Sequence, residues 1–389
     1  MIEQEIEILI TKFFANNITN AELRRLKLWL ENDKNKVLFQ EYVDINYVLE
    51  QSKRVNLIEK EIVWRTINAK IKQKKSYLGY LKYAAVASII LLLSIPLLVK
   101  KTDNIITPLD NKIIDNNIKI GTAKATLTLE DGSNIVLEKG QNFTTDKLTS
   151  NGEEVIYNNV SVEKSSPEIK YNYLTIPRGG THSIVLNDGT KVWLNSDSKL
   201  KYPVAFIKGQ SRTVELIYGE AYFDVSPSTN HEGANFVVKS LLQEIEVLGT
   251  EFNIKAYQDD ETITSTLIEG KVNVSNGVDD NAILQPGQQS IIRLSSNEKA
   301  INIVEADINS VTAWMRGVFS FKYNSLKDIS KVLSRWYDVD IVFENSDVEN
   351  VKFKGQLSKN QNIEEILILI KNQNHINDYE IKDNQIIIK

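Results

Sequence analysis

One stretch constrains this chain more than any other. Tyr83 to Val99 reads YAAVASIILLLSIPLLV and holds no charged residue. Bilayer hydrocarbon is about 30 Å thick, and a spanning helix needs roughly 17–25 apolar residues. The run is therefore read as a transmembrane helix at the short end of that range. Lys82, Lys100 and Lys101 fence it and can snorkel outward. Pro96 falls in the last turn, where a lost backbone bond is easiest to tolerate. A signal peptide would carry its apolar region near the N-terminus, not beyond residue 80. Lys70, Lys72, Lys74, Lys75 and Lys82 precede the run, against Lys100 and Lys101 after it. That bias places the N-terminus in the cytoplasm and the long C-terminal part in the periplasm of an inner-membrane, single-pass protein.

What the chain lacks narrows the chemistry. There is no cysteine, which excludes disulfides, thiolate catalysis and zinc–thiolate sites. His182, His231 and His375 stand far apart without ligand spacing, so no metal is expected. No phosphate-binding glycine loop, nucleophile elbow or HExxH pattern occurs, and no cofactor is called for. A net charge of −5 implies no general affinity for nucleic acid.

The expected architecture is a multi-domain membrane protein. Residues 1–78 read as a small all-α domain. Ile2, Ile6, Leu9, Ile10 and Phe13 share one helical face. Thr19 to Glu22 forms a capping box that opens a helix with Leu23, Leu26, Trp29 and Leu30 inward. A core of that size is marginal, so a partner covering the remaining apolar faces is reasonable. The membrane helix at 83–99 and a polar linker at 100–118 follow. From 119 to 305 short alternating strands predict an all-β sandwich or roll. It contains a repeat: Leu127 to Leu137 (LTLEDGSNIVL) matches Ile184 to Leu194 (IVLNDGTKVWL), each hairpin turning at Asp-Gly. Residues 313–389 predict a small α+β domain in the order βαββαββ.

Several motifs together resemble the FecR family of membrane-bound sigma-factor regulators. They are Ile176-Pro-Arg-Gly-Gly180, Leu186 to Asn195, Gly219-Glu-Ala-Tyr-Phe-Asp-Val225, Val247-Leu-Gly-Thr-Glu-Phe-Asn-Ile254, and Leu267 to Val272 with Leu284 to Gln288. Trp314, Gly317, Phe319-Ser-Phe321 and Arg335-Trp-Tyr337 look like the additional C-terminal domain of longer members. That domain is itself similar to the short N-terminal domain of secretins and TonB-dependent receptors. The resemblance implies an anti-sigma factor that relays a signal from a TonB-dependent outer-membrane receptor, a siderophore or glycan importer, to an extracytoplasmic-function sigma factor. An intramembrane protease is a further implied partner. Leu23, Leu26, Trp29, Leu30, Phe39 and Tyr42 would then meet the sigma factor, although core packing is the ordinary role of the aromatics. Receptor contact would fall on an edge strand with Ile341 and Phe343 or with Val351 and Phe353. The family also implies single-turnover self-cleavage between Gly249 and Thr250 by attack of the threonine hydroxyl, against a plain strand bend at the glycine. Otherwise no enzyme is expected. Glu220 and Asp224 on one strand stand about 13 Å apart, too far for paired-carboxylate hydrolysis. The rival reading is an envelope-anchored glycan-binding module using Trp193, Tyr202, Phe206, Tyr218 and Tyr222.

Overall fold

The computed structural model describes residues 118–145, 148–157, 169–277, 280–295, 300–373 and 375–389, with 18–30 and Ile6, Leu9, Ile10, Lys12, Phe13, Asn32, Asn35, Lys36 and Phe39 near the N-terminus. The chain divides into two compact units, residues 1–36 with 117–389, and residues 37–116. Of the second unit only Phe39 is described, and it is buried. The expected membrane helix at 83–99 lies outside the described residues. Among the described residues no helix is long and apolar enough to cross a membrane.

Helix α1 (Asn20–Leu30) opens on the expected cap. The Thr19 N–H donates to Glu22 Oε2 at 3.0 Å, and the Glu22 N–H donates back to Thr19 Oγ1 at 3.3 Å. Leu23, Leu26 and Leu30 are buried, while Leu28 stands outward at 65% exposure. Lys27 Nζ lies 2.8 Å from Glu364 Oε1 near the other end of the chain.

The strands of the first part are β1 (Thr122–Thr128), β2 (Asn134–Glu138), β3 (Phe143–Thr144), β4 (Leu148–Ser150), β5 (Glu154–Tyr157), β6 (Tyr171–Ile176), β7 (Gly180–Val185), β8 (Lys191–Leu194), β9 (Ser198–Pro203) and β10 (Arg212–Asp224). Then come β11 (Phe236–Ser240), β12 (Gln243–Val247), β13 (Glu251–Ala256), β14 (Thr262–Glu269), β15 (Val272–Ser275), β16 (Asn281–Leu284), β17 (Gln288–Arg293) and β18 (Asn302–Glu305). Six of them close a ring in the order β1-β6-β9-β10-β8-β7. Its last joint is a parallel pairing of Thr122 with Gly180 and Ala123 with Thr181. The 13-residue strand β10 makes the closure possible. Its first half pairs with β9 and β11, and its second half with β8 and β13. A bulge between Leu216 and Tyr218 separates the halves and turns the strand. The remaining strands extend outward from the ring.

This corrects the expected fold class. The described chain is mostly β, with few helices, and its strands form a closed six-strand ring with outer strands rather than a sandwich beside a separate small all-α domain. Period-2 alternation reports that strands exist and which face is buried, but not which strand bonds to which. The bend inside β10 is the feature that converts two sheets into a ring. The interior is apolar and tightly filled, with Leu127, Leu174, Ile184, Leu200, Leu216, Phe223 and Phe252 fully buried.

The last part runs α2 (Ile308–Val311), β19 (Val318–Ser325), α3 (Leu326–Tyr337), β20 (Asp340–Phe343), α4 (Ser346–Glu349), β21 (Lys352–Ser358), α5 (Ile363–Asn372), β22 (Tyr379–Lys382) and β23 (Gln385–Ile388). Ser325 caps α3 by accepting from the Asp328 N–H, and Asn362 caps α5 by accepting from the Glu365 N–H. Leu326, Ile329, Leu333 and Trp336 repeat at helical spacing and face inward. The strands form a β19–β21 pair and a three-stranded sheet in the order β20-β23-β22.

Candidate functional site

Residues from several of the quoted motifs meet at one seam between the ring and the C-terminal elements. Arg178 and Gly179 lie just before β7, at the rim of the ring. The Gly179 N–H donates to Arg335 O at 2.7 Å. The Arg178 guanidinium donates to Ser334 O at 3.2 Å, to Asp340 Oδ1 at 3.0 Å and to Val339 O. These acceptors cluster at the C-terminal end of α3, where the helix dipole is negative. Gly121 passes directly over the Trp336 ring, and a Cβ there would sit 2.7 Å from ring carbons. Only glycine allows that approach.

A second line of contacts runs along the floor. Trp314 Nε1 donates to Asn253 Oδ1 at 3.2 Å. Asn253 Nδ2 donates to Glu220 Oε1 at 3.1 Å, and Asn195 Nδ2 donates to Glu220 Oε2 at 2.8 Å. Lys359 Nζ donates to Asn195 Oδ1 at 3.4 Å. Both oxygens of Glu220 are thus held by amides, which makes it a structural acceptor rather than a free acid. Lys359 is 3% exposed, and its ammonium lies 3.7 Å from the centre of the Trp336 ring. Burial pushes its pKa down to about 7.

The third element is a charged stack. The Arg335 guanidinium lies 3.5 Å over the Tyr257 ring, and Arg335 also bonds Asp260 at 2.9 Å and Asp259. Burial works against the Asp260 charge, but Lys255 and Arg335 outweigh it and hold the carboxyl below its ordinary range. Trp336 and Tyr337 anchor the other side, donating to Lys359 O at 2.9 Å and Gln361 O at 2.6 Å.

The site residues expected from sequence fall in three separate places. Leu23, Leu26, Leu30 and Phe39 are buried and Trp29 is half-buried, while Tyr42 lies outside the described residues. On the C-terminal part, Ile341 and Phe343 are half-buried on β20, which lies at the edge of its sheet. Val351 is half-buried, and Phe353 is buried against Phe321 and His375. Gly249 sits at φ 151°, with Pro227 Cα 3.0 Å from where a Cβ would be. The Thr250 hydroxyl donates to Lys271 O at 3.1 Å. That carbonyl accepts the hydroxyl's hydrogen bond and does not itself act as a base. Tyr202 is fully buried and Tyr222 is nearly so, with its OH on Glu251 Oε2 at 2.5 Å, so neither offers a face to a sugar. Sequence reasoning missed Lys359 and the Arg335–Tyr257 stack. Arg335 stood in a quoted motif, but Lys359 in Ser-Lys-Asn had no signal that separates it from a surface lysine.

Comparison with known proteins fits this layout. Residues 172–273 match the family model described as FecR protein, and residues 318–388 match the one described as FecR, C-terminal. The matched segments supply most of the two sides of the seam, with Gly121 and Trp314 outside them. Two crystal structures of a "putative anti-sigma factor" from Parabacteroides distasonis ATCC 8503 are similar, with 29% identity and a TM-score of 0.50. Each alignment covers 56% of this chain and 98% of that one. No curated protein matches the chain.

Proposed function

We propose that this chain, which belongs to the FecR family by both of its matched segments, is an anti-sigma regulator that holds a sigma factor until a signal reaches its C-terminal part. The observation carrying this is the pairing of FecR and FecR C-terminal segments in one docked body, with a similar solved structure described as a "putative anti-sigma factor". The finer proposal follows the resemblance. The partner is an extracytoplasmic-function sigma factor bound at the N-terminal helices. The signal is the periplasmic domain of a TonB-dependent receptor adding to the β20 edge, since an edge strand offers unpaired backbone groups. Residues 83–99 cross the inner membrane between them, and an intramembrane protease acts there. The role is regulatory rather than enzymatic.

Co-purification with the tagged full chain from its native cells tests this. A sigma factor should be recovered, and Leu28→Asp should reduce its recovery at least tenfold, because the mutation charges an outward apolar position of α1 without touching its buried face. Absence of any sigma factor from folded bait would sink the reading.

One contact favours a second reading. Lys27 and Glu364 meet at 2.8 Å only if both lie in one compartment, whereas a crossing at 83–99 separates them. With both ends on one side, the chain is an envelope-anchored binding module. Because the chain has no cysteine, Lys27→Cys and Glu364→Cys each give one labelling site. In cells with a permeabilised outer membrane, an impermeant maleimide should label the Glu364→Cys chain and spare the Lys27→Cys chain. Equal labelling of the two would place both ends in the periplasm and reject the crossing.

A further inference from the structure

A cavity of about 240 Å³ lies in the seam. Its ring side is formed by Asn195, Glu220 and Asn253, and its C-terminal side by Trp314, Trp336 and Lys359. We propose that this cavity binds a small hydroxylated carboxylate of sugar-acid size, with the carboxylate on Lys359. The proposal does not depend on the sigma-factor reading.

The charge of the lining carries the argument. Lys255, Lys322, Arg335 and Lys359 border the cavity, against Glu220 alone among the acids. Three of the four cations have carboxylate partners behind the wall: Lys255 with Asp260 at 2.8 Å, Lys322 with Asp307 at 3.6 Å and Arg335 with Asp260 at 2.9 Å. Lys359, the most deeply buried of them, has an amide oxygen at 3.4 Å. An ammonium carries three donors, and a buried cation is costly unless it is paired. The Trp336 ring face compensates part of that charge, and an anion entering the cavity would compensate the rest.

The other walls select the rest of the ligand. Glu220, Asn195 and Asn253 are fixed by one another, so their remaining lone pairs and amide hydrogens point at defined places. Ser196, Gln289 and Ser320 add further polar edges. Hydroxyl groups, which donate and accept from one atom, suit such a mixed lining. The volume is below the roughly 300–1,000 Å³ of drug-sized sites, which limits the ligand to about one sugar ring. A ligand here would touch the ring and the C-terminal elements together and so tighten their docking.

D-Glucuronate is the probe, with D-glucose as its neutral counterpart, in calorimetric titration of the purified full chain. Saturable glucuronate binding at least tenfold tighter than glucose is expected. Affinity should fall as pH rises from 6 to 8, since Lys359 loses its charge around 7. Lys359→Met should abolish binding while keeping the melting transition, because exchanging a buried charge for an apolar side chain is often neutral or stabilising. Val311→Trp, which fills the cavity from its half-buried rim, should abolish binding independently. No saturable glucuronate binding, equal affinity for glucose, or an unchanged affinity in either folded variant would each overturn the proposal.

Discussion

Replacing Asp188 by alanine is expected to lower the stability of the ring by about 3–5 kcal/mol, the usual cost of stranding one half of a buried ion pair. Asp188 sits in the Asn-Asp-Gly-Thr turn between β7 and β8. Its Oδ2 lies 2.7 Å from Arg212 Nη1, and both side chains are 2% exposed. Arg212 Nη1 also donates to Ser226 O at 3.0 Å and Nη2 to Ala234 O at 3.1 Å, which holds the buried guanidinium away from water. The same carboxylate accepts from the Thr190 N–H and hydroxyl at 3.0 and 2.8 Å, which shapes the turn. Alanine therefore removes the counter-charge and the turn's own bonds together. Asp188→Asn, which can still accept from Thr190, should lose less. Urea unfolding of the variants measures both effects. A loss below about 1 kcal/mol for Asp188→Ala, the level of an ordinary surface pair, would show that the pair is not what locks the turn to β10.

The second large effect concerns docking rather than folding. Arg335→Ala should weaken the hold of the ring on the C-terminal elements by about 2–4 kcal/mol, the range of a buried interface anchor. That corresponds to roughly 30- to 1,000-fold in the docking equilibrium. The guanidinium stacks on Tyr257 and bonds Asp260, and its removal leaves Asp260 to Lys255 and the longer contact with Lys331 at 3.6 Å. Limited proteolysis between Ala306 and Gly317, where the chain passes from β18 to β19, reads this out. Cleavage there should accelerate by a comparable factor while the ring itself melts as before. An unchanged cleavage rate would mean that Arg178, Gly121 and Trp314 suffice.

Local features were legible wherever the physics was local. The Thr19–Glu22 cap is present with both reciprocal bonds. The repeated Asp-Gly motifs do turn hairpins, β1 into β2 and β7 into β8. The apolar face of α3 is buried as its spacing predicts. Strand closure was not legible, because Thr122–Gly180 and β10–β8 pair residues that share no neighbouring pattern. Phe353 illustrates the limit for sites. Alternation placed it on a strand expected to meet a partner, yet its ring is packed against Phe321 and His375, residues far apart in sequence. Lys359 illustrates the converse, a lysine whose burial comes from Trp336 and from the strands packed against it, both distant in sequence.

A closed ring imposes an order of assembly. Its first stave, β1, bonds to β6 and β7, but the circle stays open until β10 joins β8 to β9. Synthesis must therefore pass residue 224 before the stave begun at residue 122 is locked on every side. Pairings of such separation are slow to form, because loop closure is paid before contacts repay it. During that interval the hairpins already made would expose apolar inner faces and unsatisfied edges together. The Asp-Gly hairpins, which form from near neighbours, shorten the remaining search by delivering β1–β2 and β7–β8 to the closing step as finished pairs.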